Sequence, residues 1–216
     1  MAAGVIFDMD GVLVDSGPAH LESWQRVARK RGVDITAERF RQTFGMPSRD
    51  IVRTFWGDKL SDEEVARIDE EKESIYRALI NERIPLMPGC REMLERLRRA
   101  GLRLAVASSG SPENLDMVIS GGLIANYLQV QVNGFDVAEG KPAPDCFLLA
   151  AERLGLPPEK CVAVEDAPVG ITAAHAAGMP VIAVVGTQPP ERLSAAGADQ
   201  VVSTLDEITP ELVRGL

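Results

Sequence analysis

The 216-residue chain is short of the features that mark several protein classes. It has only three cysteines, Cys90, Cys146 and Cys161, an odd number at wide spacing with no partnering histidine. Neither a disulfide framework nor a zinc site is indicated, and Cys161, at the head of the apolar run CVAVE, reads as a small core residue. Positive charge is also scarce: 23 Lys and Arg stand against 32 Asp and Glu, for a formal net charge of -9 and a pI near 4.8. A nucleic-acid backbone or an anionic membrane surface needs a basic face, so neither is the expected partner. A continuous apolar span is missing too. The longest apolar stretch, 171–186, is broken by His175, Gly178 and Pro180 and reads as helix, turn and strand. The opening MAAGVIF has no basic region and meets Asp8 too soon for a signal peptide, so a cytoplasmic protein is expected. No internal repeat or low-complexity tract stands out.

What the chain does have is the segment DMDGVLVDS, residues 8–16, preceded by the apolar stub Val5-Ile6-Phe7. This reads as a buried strand feeding a reactive loop. Alternation along an extended chain points Asp8 and Asp10 the same way, and Gly11 supplies a turn conformation closed to most residues. Two carboxylates facing one small volume call for a cation or a shared proton. A calcium loop would need an oxygen ligand where Val12 stands and a bidentate Glu where Ala19 stands, and it would follow a helix, so that reading fails.

With 45% apolar and 25% charged residues the composition is that of a globular protein. Short apolar runs recur at 5–7, 102–107, 128–132, 162–164, 181–185 and 200–202, with helical patterns between most of them. Strands alternating with helices imply parallel crossovers and an α/β sheet covered on both faces. The run around Gln129 and Gln131 alternates polar with apolar residues, as expected of a strand near an edge. Between Ser16 and Pro85 the pattern is purely helical. Leu21, Trp24 and Val27-Ala28 form one apolar face, Ile51-Val52 with Phe55-Trp56 a second, and Val65, Ile68, Ile75 and Leu79 a third. The charge run from Asp62 to Lys72 reads as the solvated face of the third helix. These residues are expected to form a small second domain, 16–85, inserted into a core made of 1–15 and 86–216. Its paired linkers, Ser16-Gly17-Pro18 and Pro85 to Gly89, would act as a hinge.

Three further segments stand at expected strand ends. In LRLAVASSGSPENL, Ser108 and Ser109 precede Gly110 and a helix start with Ser111 as cap and Pro112 just inside it, a place where free N–H groups cradle an anion. In EGKPAPD, Pro142 keeps Lys141 out of a helix and on a stiff connection. In CVAVEDAPVG, Glu165-Asp166 ends a buried strand; Asp166 could cap the next helix, but capping does not explain Glu165. In an open parallel sheet the carboxyl ends of the strands share one crevice. Asp8, Asp10, Ser108, Lys141, Glu165 and Asp166 converge there, and the four carboxylates with one Lys carry a net charge of -3. At an effective dielectric of 20, two like unit charges 4 Å apart cost about 4 kcal/mol. Binding an anion at this place therefore calls for a divalent cation with oxygen ligands, of the kind Mg²⁺ accepts.

In this order and spacing, DMDGVLVDS, the VASS strand end, EGKPAPD and VEDAPVGITAAHAAGM resemble the haloacid dehalogenase-like hydrolase superfamily. The inserted helices resemble the cap of its β-phosphoglucomutase and sugar-phosphatase branch. The resemblance implies a Rossmann-like parallel core with an all-helical cap, and a Mg²⁺-dependent phosphatase acting on a small phosphorylated metabolite such as a sugar phosphate. Asp8 would be the nucleophile that becomes an aspartyl-phosphate and Asp10 the general acid and base. Ser108 and Lys141 would hold the phosphoryl group. Asp8, the backbone carbonyl of Asp10, and Asp166 supported by Glu165 would hold the metal. Ser16, His20, Trp24, Arg49 and Lys72 of the cap, with Ser109 of the core, are the candidate substrate-binding residues, and cap closure would bring Arg49 and Lys72 toward the substrate.

A carboxylate at Asp10 argues for phosphate-ester chemistry, since dehalogenases and phosphonate-cleaving relatives lack it. A phosphomutase of the β-phosphoglucomutase kind is the alternative; that enzyme carries a Lys in its cap loop where this chain reads Phe44-Gly45-Met46. A phosphorylation-receiver module is more distant, because its acidic pair precedes the acceptor Asp and it has no inserted cap.

Overall fold

The computed structural model describes residues 1–216. Six strands, β1 (Gly4–Phe7), β2 (Arg103–Ala107), β3 (Val130–Val132), β4 (Cys161–Glu165), β5 (Val181–Val184) and β6 (Gln200–Val202), pair in parallel in the order β3-β2-β1-β4-β5-β6. All six apolar runs are strands, with ends that differ from expectation by two residues at most. The alternation of side chains sorts the sheet: Val5 and Phe7 pack into one apolar cluster with Val162 and Val164, while Ile6 joins Cys161 and Ala163 in the other. All three cysteines are buried and free. β3 is an edge strand, with Gln129 exposed and Gln131 half-buried, as the polar alternation predicts.

Between β1 and the first helix of the core lie α1 (Gly17–Arg29), α2 (Ala37–Thr43), α3 (Ser48–Trp56) and α4 (Asp62–Ile80). They share an apolar cluster of their own, built on Trp24, Val27, Phe40, Ile51, Phe55, Val65 and Ile68. Both tryptophans, Trp24 and Trp56, belong to this helical body. The chain enters and leaves it side by side: the Asp15 amide donates to the Pro85 carbonyl (2.7 Å) and the Met87 amide to the Leu13 carbonyl (3.0 Å).

Two readings of these helices change. A fourth helix, α2, is present where only three apolar faces stand out in the sequence; it is capped by the Thr36 hydroxyl, which accepts from the Arg39 amide, and it buries only Phe40 and Thr43. The buried face of α4 is Val65, Ile68, Lys72, Glu73, Tyr76 and Ile80, with Ile75 and Leu79 only partly covered. The charge run is thus not all solvated: Lys72 is 2% exposed. It reaches that depth because its aliphatic stem packs like any apolar chain and its ammonium finds partners.

The core helices are α5 (Cys90–Arg99), α6 (Pro112–Gly121), α7 (Asp145–Leu154), α8 (Pro168–Ala176), α9 (Pro190–Ala195) and α10 (Pro210–Gly215). The expected cap of α6 is present, the Ser111 hydroxyl accepting from the Asn114 amide. No helix is long and apolar enough to cross a membrane.

Candidate active site

Three neighbouring strands deliver the central groups. β1 ends at Phe7 and hands on Asp8; β4 ends in Glu165 followed by Asp166; β2 ends at Ala107, next to Ser108. Asp8, Ser108, Lys141, Glu165 and Asp166 are all at most 6% exposed. Lys141 ties them together. Its ammonium donates to Asp8 Oδ1 (2.6 Å), Glu165 Oε1 (2.6 Å) and the Ala107 carbonyl (3.2 Å), which uses all three of its hydrogens. Burial opposes the charge on Lys141, yet Asp8 and Glu165 hold its ammonium well above the ordinary lysine value. Glu165 Oε2 accepts from the backbone amides of Asp166 (3.0 Å) and Ala167 (3.3 Å). Asp166 does not cap α8: the helix starts from Ala167 without a side-chain cap, and Glu165 holds the two amides that lead into it.

Two glycines make room for this packing. A Cβ at Gly11, where φ is +80°, would lie inside the Asp166 carboxylate, and a Cβ at Gly170 would stand 1.8 Å from Glu165 Oε1.

Carboxylate oxygens of Asp8, Glu165 and Asp166 lie within 4.8 Å of one another. Burial pushes the Asp8 carboxyl up; Lys141 pulls it back, but Glu165 and Asp10 leave it at about 7. Burial, then Glu165 and Asp8, raise Asp166 well above the carboxylate range. Thr187 donates its hydroxyl to Asp166 Oδ2, while Asp166 Oδ1 is buried with no partner. Three buried carboxylates against one lysine, with an orphaned oxygen among them, fit a hard divalent cation. Of the three, Asp8 and Asp166 would be the ones to hold such an ion, since Glu165 is committed to Lys141 and two amides.

Asp10 faces the other way, toward the cap. Its Oδ1 accepts from Ser16 Oγ (2.6 Å), from His20 (3.2 Å) and, at 3.5 Å, from the Tyr76 hydroxyl. Lys72 Nζ lies 2.8 Å from His20 Nδ1. An ammonium only donates, so Nδ1 accepts and the His20 hydrogen sits on Nε2, aimed at Asp10. The Tyr76 ring stacks on the imidazole at 3.9 Å and 3°. Burial opposes ionisation of Asp10, but His20, Ser16 and Lys72 outweigh it and hold its carboxyl below the usual value. None of these bonds uses Oδ2, which is left for a ligand.

A cleft between core and helical body opens onto Asp8 and Asp10 and leaves about 60 Å³. Small-molecule pockets commonly measure about 300–1,000 Å³, so in this conformation the cleft is smaller than a sugar phosphate needs. The α2–α3 loop covers the mouth: Ser109 Oγ donates to the Gly45 carbonyl (3.5 Å), and Gln188 reaches the Arg41 carbonyl (2.7 Å).

The family model of haloacid dehalogenase-like hydrolases matches residues 2–178. The chain belongs to that family. It is 38% identical over 207 residues to hexitol phosphatase A of Escherichia coli, covering 95% of this chain and 93% of that protein. To β-phosphoglucomutase of Bacillus subtilis it is 32% identical, covering 97% and 92%. Among solved structures, a β-phosphoglucomutase of Clostridium difficile superposes with a TM-score of 0.90 at 26% identity, covering 100% and 96%. CbbY of Rhodobacter sphaeroides, bound to xylulose 1,5-bisphosphate, gives a TM-score of 0.84 at 30% identity, covering 96% of each chain. The protein is accordingly an enzyme of the hydrolase or phosphomutase kind within the haloacid dehalogenase-like family.

The structure of this haloacid dehalogenase-like enzyme brings most of the candidate residues together. Asp8, Asp10, His20, Trp24, Lys72 and Ser109 line the cleft. Ser108 lies behind Ser109, its hydroxyl accepting from the Gly110 amide (3.0 Å) and keeping its hydrogen to donate. Ser16 does not reach the cleft wall; it braces Asp10. Arg49 is not in the wall either. It is exposed, 3.6 Å from Asp69, with its guanidinium 5.9 Å from the centre of the Phe135 ring on the core. Sequence reasoning overlooked Glu73, Tyr76, Asn114 and Thr187; the only available signal was that Glu73 and Tyr76 share the α4 face of Lys72.

Proposed function

We propose that this enzyme is a Mg²⁺-dependent phosphatase that hydrolyses a small phosphomonoester of the sugar-phosphate class through an aspartyl-phosphate on Asp8. The observation that carries this reading is the pair of opposed carboxylates: Asp8 held by Lys141 beside an orphaned Asp166 oxygen, and Asp10 held from the cap with one oxygen free. Bound at Asp8 and Asp166, with the Asp10 backbone carbonyl as the resemblance implies, Mg²⁺ would neutralise charge on the phosphoryl oxygens. Ser108 donates to the same group, and Lys141, whose hydrogens are all engaged, acts on it through its charge and by fixing Asp8. The free oxygen of Asp8 forms a bond to phosphorus as the bond to the leaving alkoxide breaks, and Asp10 gives that oxygen its proton. Asp10 then takes a proton from water, whose oxygen displaces the Asp8 carboxylate and frees phosphate. Before substrate binds, Asp10 is held ionised; an arriving phosphate raises its proton affinity, as any like charge does, and Asp10 takes up from solvent the proton that it then gives to the leaving oxygen.

The test is phosphate release from a panel of sugar phosphates and other small monoesters, with and without chelator. Release that stops in chelator and returns with Mg²⁺ is expected, and full activity in chelator would sink the reading. Asp166→Asn should raise the Mg²⁺ concentration needed for half-maximal release by about tenfold or more, because it removes a ligand and leaves the nucleophile in place.

The second reading, a phosphomutase, is favoured by the β-phosphoglucomutase relatives and weakened by Gly45. A Cβ there would meet Ala167 and Val169 at 3.0 Å, and φ is +88°, so this backbone has no place for the lysine that the mutase carries. Given β-glucose 1-phosphate with a trace of the 1,6-bisphosphate, the enzyme should release free phosphate faster than it forms glucose 6-phosphate. The opposite order would make it a mutase.

A further inference from the structure

Among the charged groups lining the cleft, Glu73 alone has no task in the chemistry above. It is 8% exposed, on α4 beside Lys72. Its Oε1 accepts from Lys72 Nζ (2.8 Å), and its Oε2 accepts from Asn114 Nδ2 of the core (2.6 Å). Burial opposes its ionisation, but Lys72 and His20 more than offset it and hold the carboxyl below the ordinary glutamate value.

This arrangement uses up the cleft's positive charge. Lys72 is the one Lys or Arg in the wall. Its ammonium is shared between Glu73 and His20 Nδ1, and it sits 5.2 Å from the ring centroids of both Trp24 and Tyr76. No cation in the wall is left over for a second anionic group: behind it Arg77 donates to Asn114 Oδ1 (3.3 Å) and pairs with Glu70, and Arg49 turns outward to Asp69 and Phe135. A phosphate entering the far end of the cleft would instead meet a buried carboxylate. Hydroxyl groups suit the same wall: one can donate to Glu73 or accept from Asn114. The CbbY structure holds a sugar bisphosphate, so a second phosphate is a real competitor in this fold.

We propose that Glu73 is a specificity-determining residue which makes the cleft select phosphomonoesters with a neutral, hydroxyl-bearing tail and reject sugar bisphosphates. The proposal rests on the phosphatase reading. It is tested with the best monophosphate from the panel and the bisphosphate that differs from it only by the second phosphate, such as fructose 1-phosphate against fructose 1,6-bisphosphate. The wild-type enzyme should prefer the monophosphate in kcat/KM by about a hundredfold or more. Glu73→Gln keeps the shape and removes the charge; it should raise the bisphosphate-to-monophosphate ratio by about tenfold, mostly through KM for the bisphosphate. A merely structural role for Glu73 would lower both substrates in proportion and leave the ratio unchanged. Equal use of the two substrates by the wild-type enzyme, or an unmoved ratio in the variant, overturns the proposal while phosphate release leaves the phosphatase reading standing. No release from any ester would remove both. Equal use of both substrates by the wild-type enzyme overturns the proposal whether or not the variant folds.

Discussion

Asp8→Asn should lower phosphate release by about 10⁴-fold or more, to the level of buffer, at any Mg²⁺ concentration. An amide has no lone pair basic enough to attack phosphorus, and nothing else in the cleft can replace it: Asp10 points toward the cap, and Glu165 has both oxygens engaged. The loss should come without unfolding. Lys141 would still have Glu165 and the Ala107 carbonyl, and one of three crowded carboxylates would become neutral. The melting temperature of the variant is therefore expected at or above that of the wild type in the absence of metal. Phosphate release and a thermal melt on the same preparation check both halves. Substantial turnover by the folded variant would remove Asp8 from the chemistry.

Gly170→Ala should also lower the rate, although residue 170 touches no substrate. The added carbon would lie 2.0 Å from Glu165 Cδ, so the carboxylate has to move. Glu165 is 1% exposed and cannot move without releasing Lys141 or the amides that start α8. Lys141 would then drift from Asp8. Misplacement of about 1 Å in such a cluster costs about 10²-fold in rate, which is the expected fall in kcat/KM. Overpacking of this kind also destabilises by about 1–3 kcal/mol, or several degrees in melting temperature. Gly17→Ala is the control, since nothing lies within 4 Å of a Cβ there. Equal behaviour of the two variants in both assays would refute the crowding argument.

The core half of the candidate site was legible in the sequence because most of its residues stand at the ends of apolar runs. Val5 to Phe7, 102–107 and 162–164 announce buried parallel strands, and parallel strands end on one side. Position alone therefore groups Asp8, Ser108, Glu165 and Asp166. The cap was legible as helix but not as chemistry. α2 buries two side chains in seven residues, too few for a periodic signal. Lys72 sits in a run of charges and looked solvated, because its partner His20 is 52 residues away and its burial depends on Trp24 and Tyr76 closing over it. Glu73 and Asn114 meet across 41 residues and two bodies of the fold, so no local pattern connects them. Arg49 was expected at the substrate, but Asp69, twenty positions further on, and Phe135 of the core hold it outside the cleft.

The placement of both tryptophans in the helical body gives the enzyme an optical property. Light absorbed by indole alone reports on α1 and α3, and the parallel sheet is silent. Trp24 lines the cleft and lies beside the Lys72 ammonium, whereas Trp56 lies behind it, 6.2 Å from the Trp24 ring. Intrinsic emission thus reads the surroundings of the cleft from its helical wall alone, with no label attached.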